Sequence, residues 1–346
     1  PGRAQRASLF TPPREHPLHL LLDSFFTLTI TGLVMGSIYA LIALGYTMVY
    51  GVLQLINFAH SEVFMFGTFA CAWTVIALGG DGQTGAAAAI GILLLGFVAA
   101  VITSGGVALL LERLAYRPLI KRKSPKLVAL ISAIGASFAL SELMGLRDKV
   151  ADWFGLRDSL GTYVGRPRDA TVLPNVVHDR PLFPIGDYDV RIVDVVVVLS
   201  AIALMIAADQ FVRRSRLGAG IRAVAQDPET AALMGVNATR VIQTTFLVGG
   251  VLAGAAATLF MVKTGVTKFN IGFLLGVKAF VAAVLGGIGN LRGAVLGGLI
   301  LGIAENYCSA LIGTKWQDVV AFVLLVVILM FRPSGILGES LGRARA

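Results

Sequence analysis

Charge is what this sequence has least of. Only 14% of its 346 residues are Asp, Glu, Lys or Arg, while 56% are hydrophobic, whereas an ordinary soluble domain has about a quarter of its residues charged. Water is therefore not the chain's main solvent, and a large soluble core is excluded. Cysteine is scarce as well. Cys71 and Cys308, each inside an apolar stretch, give no disulfide framework and no metal pair, and read as small buried thiols. The histidines, His16, His19, His60 and His178, lack metal-ligand spacing. No Gly-x-x-x-x-Gly-Lys-Ser/Thr phosphate loop occurs, since Gly313-Thr314-Lys315 lacks the upstream glycine. Lys263-Thr264-Gly265 has no Ser-x-x-Lys in a suitable context. Catalysis by this chain is not expected.

What the sequence does have is long apolar runs, at 20–78, 86–111, 190–207, 241–262 and 321–331. Crossing a hydrocarbon core takes about 20 mostly apolar helical residues. Backbone amides in lipid must bond within their own segment or in a closed barrel. The runs are continuous rather than alternating, so helices are favoured over barrel strands. The fold class read here is all-α: a polytopic membrane protein of roughly eight to ten transmembrane or re-entrant helices. The run from Leu18 onward far exceeds the core of a signal peptide, so the first span is expected to be retained.

The formal charge of +9 fits cytoplasmic loops rich in Lys and Arg better than nucleic-acid binding, because the charges are clustered. Arg113, Arg117, Lys121, Arg122, Lys123 and Lys126 share one short loop, and Arg213, Arg214, Arg216 and Arg222 another. Both are assigned to the cytoplasm. The stretch 147–191 mixes Arg147, Lys149, Arg157, Arg166, Arg168 and Arg180 with Asp148, Asp152, Asp158, Asp169, Asp179 and Asp187, a near-neutral balance that suits the outer face. With Arg213 inside, alternating crossings place Arg292, and then Arg332, Arg343 and Arg345, inside as well. At the other end three spans before the Arg113 loop would put Arg3, Arg6 and Arg14 outside, and four would put them inside.

Two runs need subdivision. The run 20–78 must hold two or three segments, with Asn57, His60 and Glu62 as a polar break and a re-entrant piece near 51–60 as one alternative. The run 271–312 breaks at the glycine-rich turn 286–293, which carries Arg292. Glycines four apart, such as Gly289, Gly293 and Gly297, let helices approach closely in lipid, within the chain or at a subunit interface.

Between Arg213 and Asn237 the sequence reads as two short helices outside the lipid. Asp227 suits an N-cap, Pro228 the first helical position, Glu229 the positive helix end, and Gly235 the stop. A compact helix over 228–234 follows. Alone in water it would be marginal, so it is expected to dock against protein.

This loop resembles the cytoplasmic coupling loop of the LivH/LivM family of branched-chain amino acid transporter permeases. The likeness extends to the Gly32-Leu33-Val34-Met35-Gly36-Ser37-Ile38-Tyr39 segment continuing to Gly51, and to Ile56-Asn57-Phe58-Ala59-His60-Ser61-Glu62. It returns at Lys278-Ala279-Phe280 on to Asn290, and at Phe331-Arg332-Pro333-Ser334-Gly335. The resemblance implies an ATP-binding cassette importer in the cytoplasmic membrane, in which this chain pairs with a homologous second permease. Two ATPase subunits, which bind ATP and Mg, dock on the cytoplasmic loops, and an extracytoplasmic binding protein delivers substrate. The chain is read as one permease domain over 20–331 between tails 1–19 and 332–346, the latter cytoplasmic. Residues 147–190, which the resemblance does not cover, are the extracytoplasmic loop on charge balance, and 211–239 is the cytoplasmic coupling loop, whose short helix is the coupling helix. Arg222, Asp227, Pro228, Glu229, Thr230, Ala231, Ala232, Met234 and Gly235 are the implied ATPase-coupling residues. Urea and short-amide importers have related permeases, so substrates other than leucine, isoleucine and valine stay open, as does a stand-alone secondary transporter or channel.

Ionisable residues in membrane segments are costly and point to function; here they are Glu62, Glu142, Lys278 and Glu305. Asn57, His60 and Glu62 form the densest polar cluster, either lining the pathway or fixing a turn. Tyr39, Tyr46 and Asn306 are added as pathway candidates.

Overall fold

The computed structural model describes residues 23–80, 84–122, 124–174, 176–177 and 179–338. The tail 1–19 with Arg3, Arg6, Arg14, His16 and His19, and also Lys123, His178, Arg343 and Arg345, lie outside the described residues.

Seven helices among the described residues are long and apolar enough to cross a membrane. They are α1 (Phe25–Leu53), α3 (Ala86–Lys121), α4 (Lys126–Gly145), α7 (Ile192–Arg214), α10 (Ala238–Thr264), α12 (Leu291–Ile312) and α13, which spans Gln317–Phe331 after a tight turn at Thr314–Trp316. Two shorter apolar helices, α2 (His60–Ala77) and α11 (Ile271–Gly286), pack among them. Between α4 and α7 come α5 (Arg147–Trp153), α6 (Arg157–Val164), β1 (Thr171–Val172), β2 (Pro181–Ile185) and β3 (Tyr188–Arg191). Helices α8 (Arg216–Gln226) and α9 (Pro228–Leu233) follow α7, and strand β4 (Val266–Thr267) follows α10.

Several elements differ from the sequence reading. The basic stretch from Arg113 is not a loop. Helix α3 runs on through Lys121, passing through a π-helical turn at Glu112–Tyr116, where Arg117 pairs with the buried Glu112 at 2.8 Å. Helix α4 is a span that the apolar runs did not include, although it is as hydropathic as α1; charged Lys126 opens it and Glu142 lies near its close. The all-α reading needs a small amendment: β2 and β3 form an antiparallel hairpin, and β1 pairs with β4. Residues 54–59 are irregular; Gln54 is exposed, whereas Asn57 and Ala59 are buried, the setting in which non-helical backbone is tolerated at membrane depth.

Packing follows small residues. Helix α1 meets α12 where Gly36 faces Gly298 and Gly32 faces Gly302, and a Cβ added at Gly298 would lie 2.6 Å from the Ala40 backbone. Helix α10 meets α3 in the same manner, Gly250 against Ser104 and Gly105, and Gly254 against Ala100 and Val101. In both seams residue numbers rise on one helix as they fall on the other, so the pairs are antiparallel. Both long central helices end in a left-handed residue, Gln54 (φ 49°) after α1 and Gly265 (φ 69°) after α10. From each of these the chain reaches a short helix over the same interval, 54 to 60 and 265 to 271. Each short helix leans on the long helix of the other unit, α2 on α10 and α11 on α1. The helix triplets α1–α2–α3 and α10–α11–α12 are thus interlocked repeats.

The bundle has two ends. One carries the clustered Lys and Arg residues. There Lys126 reaches Gln54 (3.5 Å), Arg292 reaches Asp209 (3.8 Å), and Ile336 and Leu337 bond back to the carbonyls of Leu285 and Gly286 (both 2.9 Å). At the other end the start of α1 donates backbone N–H groups of Phe26 and Thr27 to Asp187 (3.1 and 3.3 Å). Arg147 is anchored there by the carbonyls of Met144, Tyr163, Arg166 and Pro167. Three helices precede the basic end of α3, so Phe25 lies at the end opposite the basic clusters.

Candidate functional site

The most ordered candidate surface is built by α8 and α9 at the basic end. Ser215 caps α8, accepting the Gly218 N–H at 2.8 Å. Helix α8 folds tightly against the close of α7: a Cβ at Gly218 would lie 2.2 Å from the Val212 carbonyl oxygen. The Arg222 guanidinium donates to that same carbonyl, so its role is partly spent inside the chain.

Asp227 caps α9, one carboxylate oxygen accepting the N–H groups of Glu229 (2.9 Å) and Thr230 (3.2 Å), the other the Thr230 hydroxyl. The Thr230 hydroxyl first, and then these N–H groups, hold the Asp227 carboxyl below its ordinary value. Pro228 opens the helix and Glu229 sits in its first turn. Regular helix stops at Leu233, one residue before the expected Met234, within the usual fraying of a terminus. Gly235 takes φ +82°, and the N–H groups of Gly235 and Val236 close onto the carbonyls of Ala232 and Ala231 (both 3.0 Å), as a glycine stop does. Ala231 is buried and fastens the helix. Glu229, Thr230 and Ala232 are exposed, and so are Leu233 (87%) and Met234 (81%). Leu233, which sequence reasoning passed over, completes an apolar tip. Its signal was an apolar residue on a helix too short to bury it.

Within the bundle, Tyr46, Asn57, His60 and Glu62 come together. The Tyr46 and His60 rings are 4.9 Å apart, edge to face. The His60 imidazole fits a notch left by Gly45 and Gly249, where a Cβ at Gly45 would strike it at 2.1 Å. Glu62 accepts from Ser137 of α4 at 3.1 Å, while its other oxygen faces the first turn of α11 at Gly272. Asn57 accepts the Tyr116 hydroxyl (2.8 Å) from the π-helical turn of α3. Tyr46, Thr47, Asn57 and Phe280 border a cavity of about 10 Å³, room for one water and no more. The cluster therefore couples α1, α2, α3, α4 and α11 in a closed arrangement.

Tyr39 and Asn306 are not part of it. Tyr39 donates to Glu305 at 3.0 Å, and Glu305 is also held by Lys278 at 3.2 Å. Lys278 pairs in turn with Asp318 at 2.8 Å. Asn306 bonds the Gly302 carbonyl of its own helix (3.0 Å). Glu142, read from sequence as an intramembrane carboxylate, is half-exposed at the bundle's end and pairs with Arg168 at 2.9 Å. Asp318 was missed because it lies just ahead of the apolar run 321–331 and so was not counted among the intramembrane ionisable residues.

Residues 28–329 match the model of a family described as branched-chain amino acid transport system / permease component. The chain is 40% identical over 314 residues to the high-affinity branched-chain amino acid transport system permease protein LivH of Escherichia coli strain K12, covering 89% of this chain and 94% of that one. It is 39% identical over 311 residues to LivH of Salmonella typhimurium, with coverage of 89% and 94%. To the permease protein BraD of Pseudomonas aeruginosa it is 40% identical over 313 residues, covering 90% and 94%.

Proposed function

The chain belongs to the family of permease components of branched-chain amino acid transport systems, and from that premise we propose how its surfaces divide the work of import. It is a polytopic membrane subunit and not an enzyme, so the energy for transport must enter through protein contacts. Its substrates are branched-chain amino acids, the class that the names of its relatives carry, which in this reading are leucine, isoleucine and valine. The basic end of the bundle faces the cytoplasm, in line with the bias of Lys and Arg toward that side, and the 147–190 segment faces outward. In this reading α2 and α11 insert alongside the seven long helices, giving nine membrane-inserted helices among the described residues. The membrane is the cytoplasmic membrane, and the partners are a homologous permease, two ATPase subunits and an extracytoplasmic binding protein.

The observation that carries the coupling assignment is the capped helix α9, with Ala231 buried and Leu233 and Met234 exposed on the basic end. A rigid helix fixed at both ends can pass the closure of an ATPase subunit directly to α10 and, through α8, to α7. The bundle then shifts between two packings. The closed cluster around Tyr46, His60 and Glu62 is one such packing, and its loosening accompanies opening.

The test is reconstitution of this chain with a homologous permease, ATPases and a binding protein in vesicles, with leucine, isoleucine, valine, urea and short amides supplied in turn. ATP-dependent uptake confined to the branched-chain amino acids is expected. Uptake by this chain alone on an ion gradient would overturn the reading in favour of a secondary transporter, and preference for urea or amides would overturn its substrate.

A further inference from the structure

Lys278 has a setting that membrane packing alone does not call for. Its ammonium lies between Glu305 (3.2 Å) and Asp318 (2.8 Å) and stands 5.8 Å from the centre of the Tyr39 ring. Glu305 further accepts from Tyr39 (3.0 Å) and Gln317 (3.4 Å). The Lys278 and Glu305 side chains are 7% and 1% exposed, but Asp318 is 51% exposed. The network thus runs from an accessible carboxylate at the start of α13 to a buried pair between α11 and α12. It holds one cation and two carboxylates, at the half of the bundle away from the basic clusters.

Such a chain can exchange partners without stranding a charge. A zwitterion arriving beside Asp318 offers its carboxylate to Lys278 and its ammonium to Asp318, so one ion pair is replaced by two. Burying an unpaired charge is what makes intramembrane ionisation costly, and this exchange avoids it. An uncharged molecule such as urea cannot open the Lys278–Asp318 pair on those terms. Apolar surface lies alongside: Leu274, one helical turn before Lys278, is 47% exposed, and Trp316 is 54% exposed.

Resting on the functional reading above, we infer that Lys278 and Asp318, backed by Glu305 and Tyr39, form a transient recognition site for the zwitterionic end of an α-amino acid on its way into the pathway. Lys278 takes the carboxylate, Asp318 the ammonium, and Glu305 holds Lys278 in place.

The test uses the permease–ATPase complex in lipid nanodiscs without binding protein, with radiolabelled leucine and 4-methylpentanoate, which keeps the side chain and carboxylate but lacks the ammonium. Leucine should bind weakly and saturably. Asp318→Asn, at an exposed position, should lower leucine affinity by about tenfold or more, the scale of losing one charge-assisted bond, with Asp318→Glu restoring much of the loss. The 4-methylpentanoate affinity should be weaker than that for leucine by a similar factor and insensitive to Asp318→Asn. Equal affinity for the two ligands, unchanged leucine affinity in Asp318→Asn, or no leucine binding by the unmodified complex would each overturn the site. ATP-driven leucine uptake by the complete transporter, run in parallel, separates the two readings: uptake that persists when these arms fail overturns this site alone.

Discussion

At the level of single residues, close helix contact depends on positions where no Cβ fits. A Cβ at Gly302 would lie 2.4 Å from the Gly32 carbonyl oxygen and 2.5 Å from the Gly36 backbone, with no flexible side chain to yield. Gly302→Ala should therefore destabilise the α1–α12 seam by about 1–3 kcal/mol, the usual cost of overpacking, measurable as a lower midpoint of thermal unfolding in detergent. Gly91, with nothing within 4 Å, should tolerate alanine without such a loss. Asp227 supplies a pH signature. Its folded value is depressed below the unfolded one, so its cap contributes fully above about pH 4 and is lost as the pH falls through the depressed value. The protection of the Glu229 and Thr230 amides relative to their intrinsic exchange rates should fall over that acid range, whereas Asp227→Asn should remove the pH step. The cap was legible in the sequence because Asp, Pro and Glu stand at consecutive positions before a glycine stop. The Lys278–Asp318 contact was not, because it joins residues from two helices whose crossing no local pattern encodes.

Helix α9 is where element-scale behaviour is easiest to read. Proline at Ala231 would remove the N–H that bonds to Asp227 at 3.0 Å and disturb the one buried anchor of the helix. Ala231→Pro is expected to leave the subunit folded and membrane-inserted while ATP hydrolysis no longer drives uptake, as measured by paired hydrolysis and transport assays. Full transport by that variant would show that energy enters elsewhere. Leu233→Ser combined with Met234→Ser should weaken capture of the ATPase subunits without disturbing α9, since both side chains already face outward. Long apolar runs gave away α1, α3, α7, α10 and α12, because length and hydropathy suffice for a helix in lipid. They missed α4, which is as hydropathic as α1 but opens on Lys126 and carries Glu142, and they turned the end of α3 into a loop because Arg113, Arg117 and Lys121 look like solvent-facing charge. The 147–191 segment was opaque for another reason. Its short helices and hairpin are held by long-range bonds such as those from Arg147 and to Asp187, which leave no periodic trace.

For the molecule as a whole, the arrangement of its ends is testable by labelling. In a chain with Cys71→Ser and Cys308→Ser, single cysteines at Phe25 and at Asp189 should react with an impermeant maleimide added outside intact cells. A cysteine at Arg292 should react only after permeabilisation. Labelling of Phe25 from the inside alone would reverse the order of the first three helices. Parity from charge could not decide this, since a short helix such as α2 counts as a crossing or not according to packing the sequence does not display.

The crosswise seams also bear on how the protein comes into being. Helix α1 closes against α12, so the glycine face that includes Gly32 and Gly36 leaves the ribosome long before Gly298 and Gly302 exist. At synthesis rates of about 5–20 residues per second, that face waits on the order of ten seconds or longer beside lipid or an insertion factor. Insertion and packing are therefore separate events in time for this chain, and its first helices reach the bilayer without the neighbours they are shaped for.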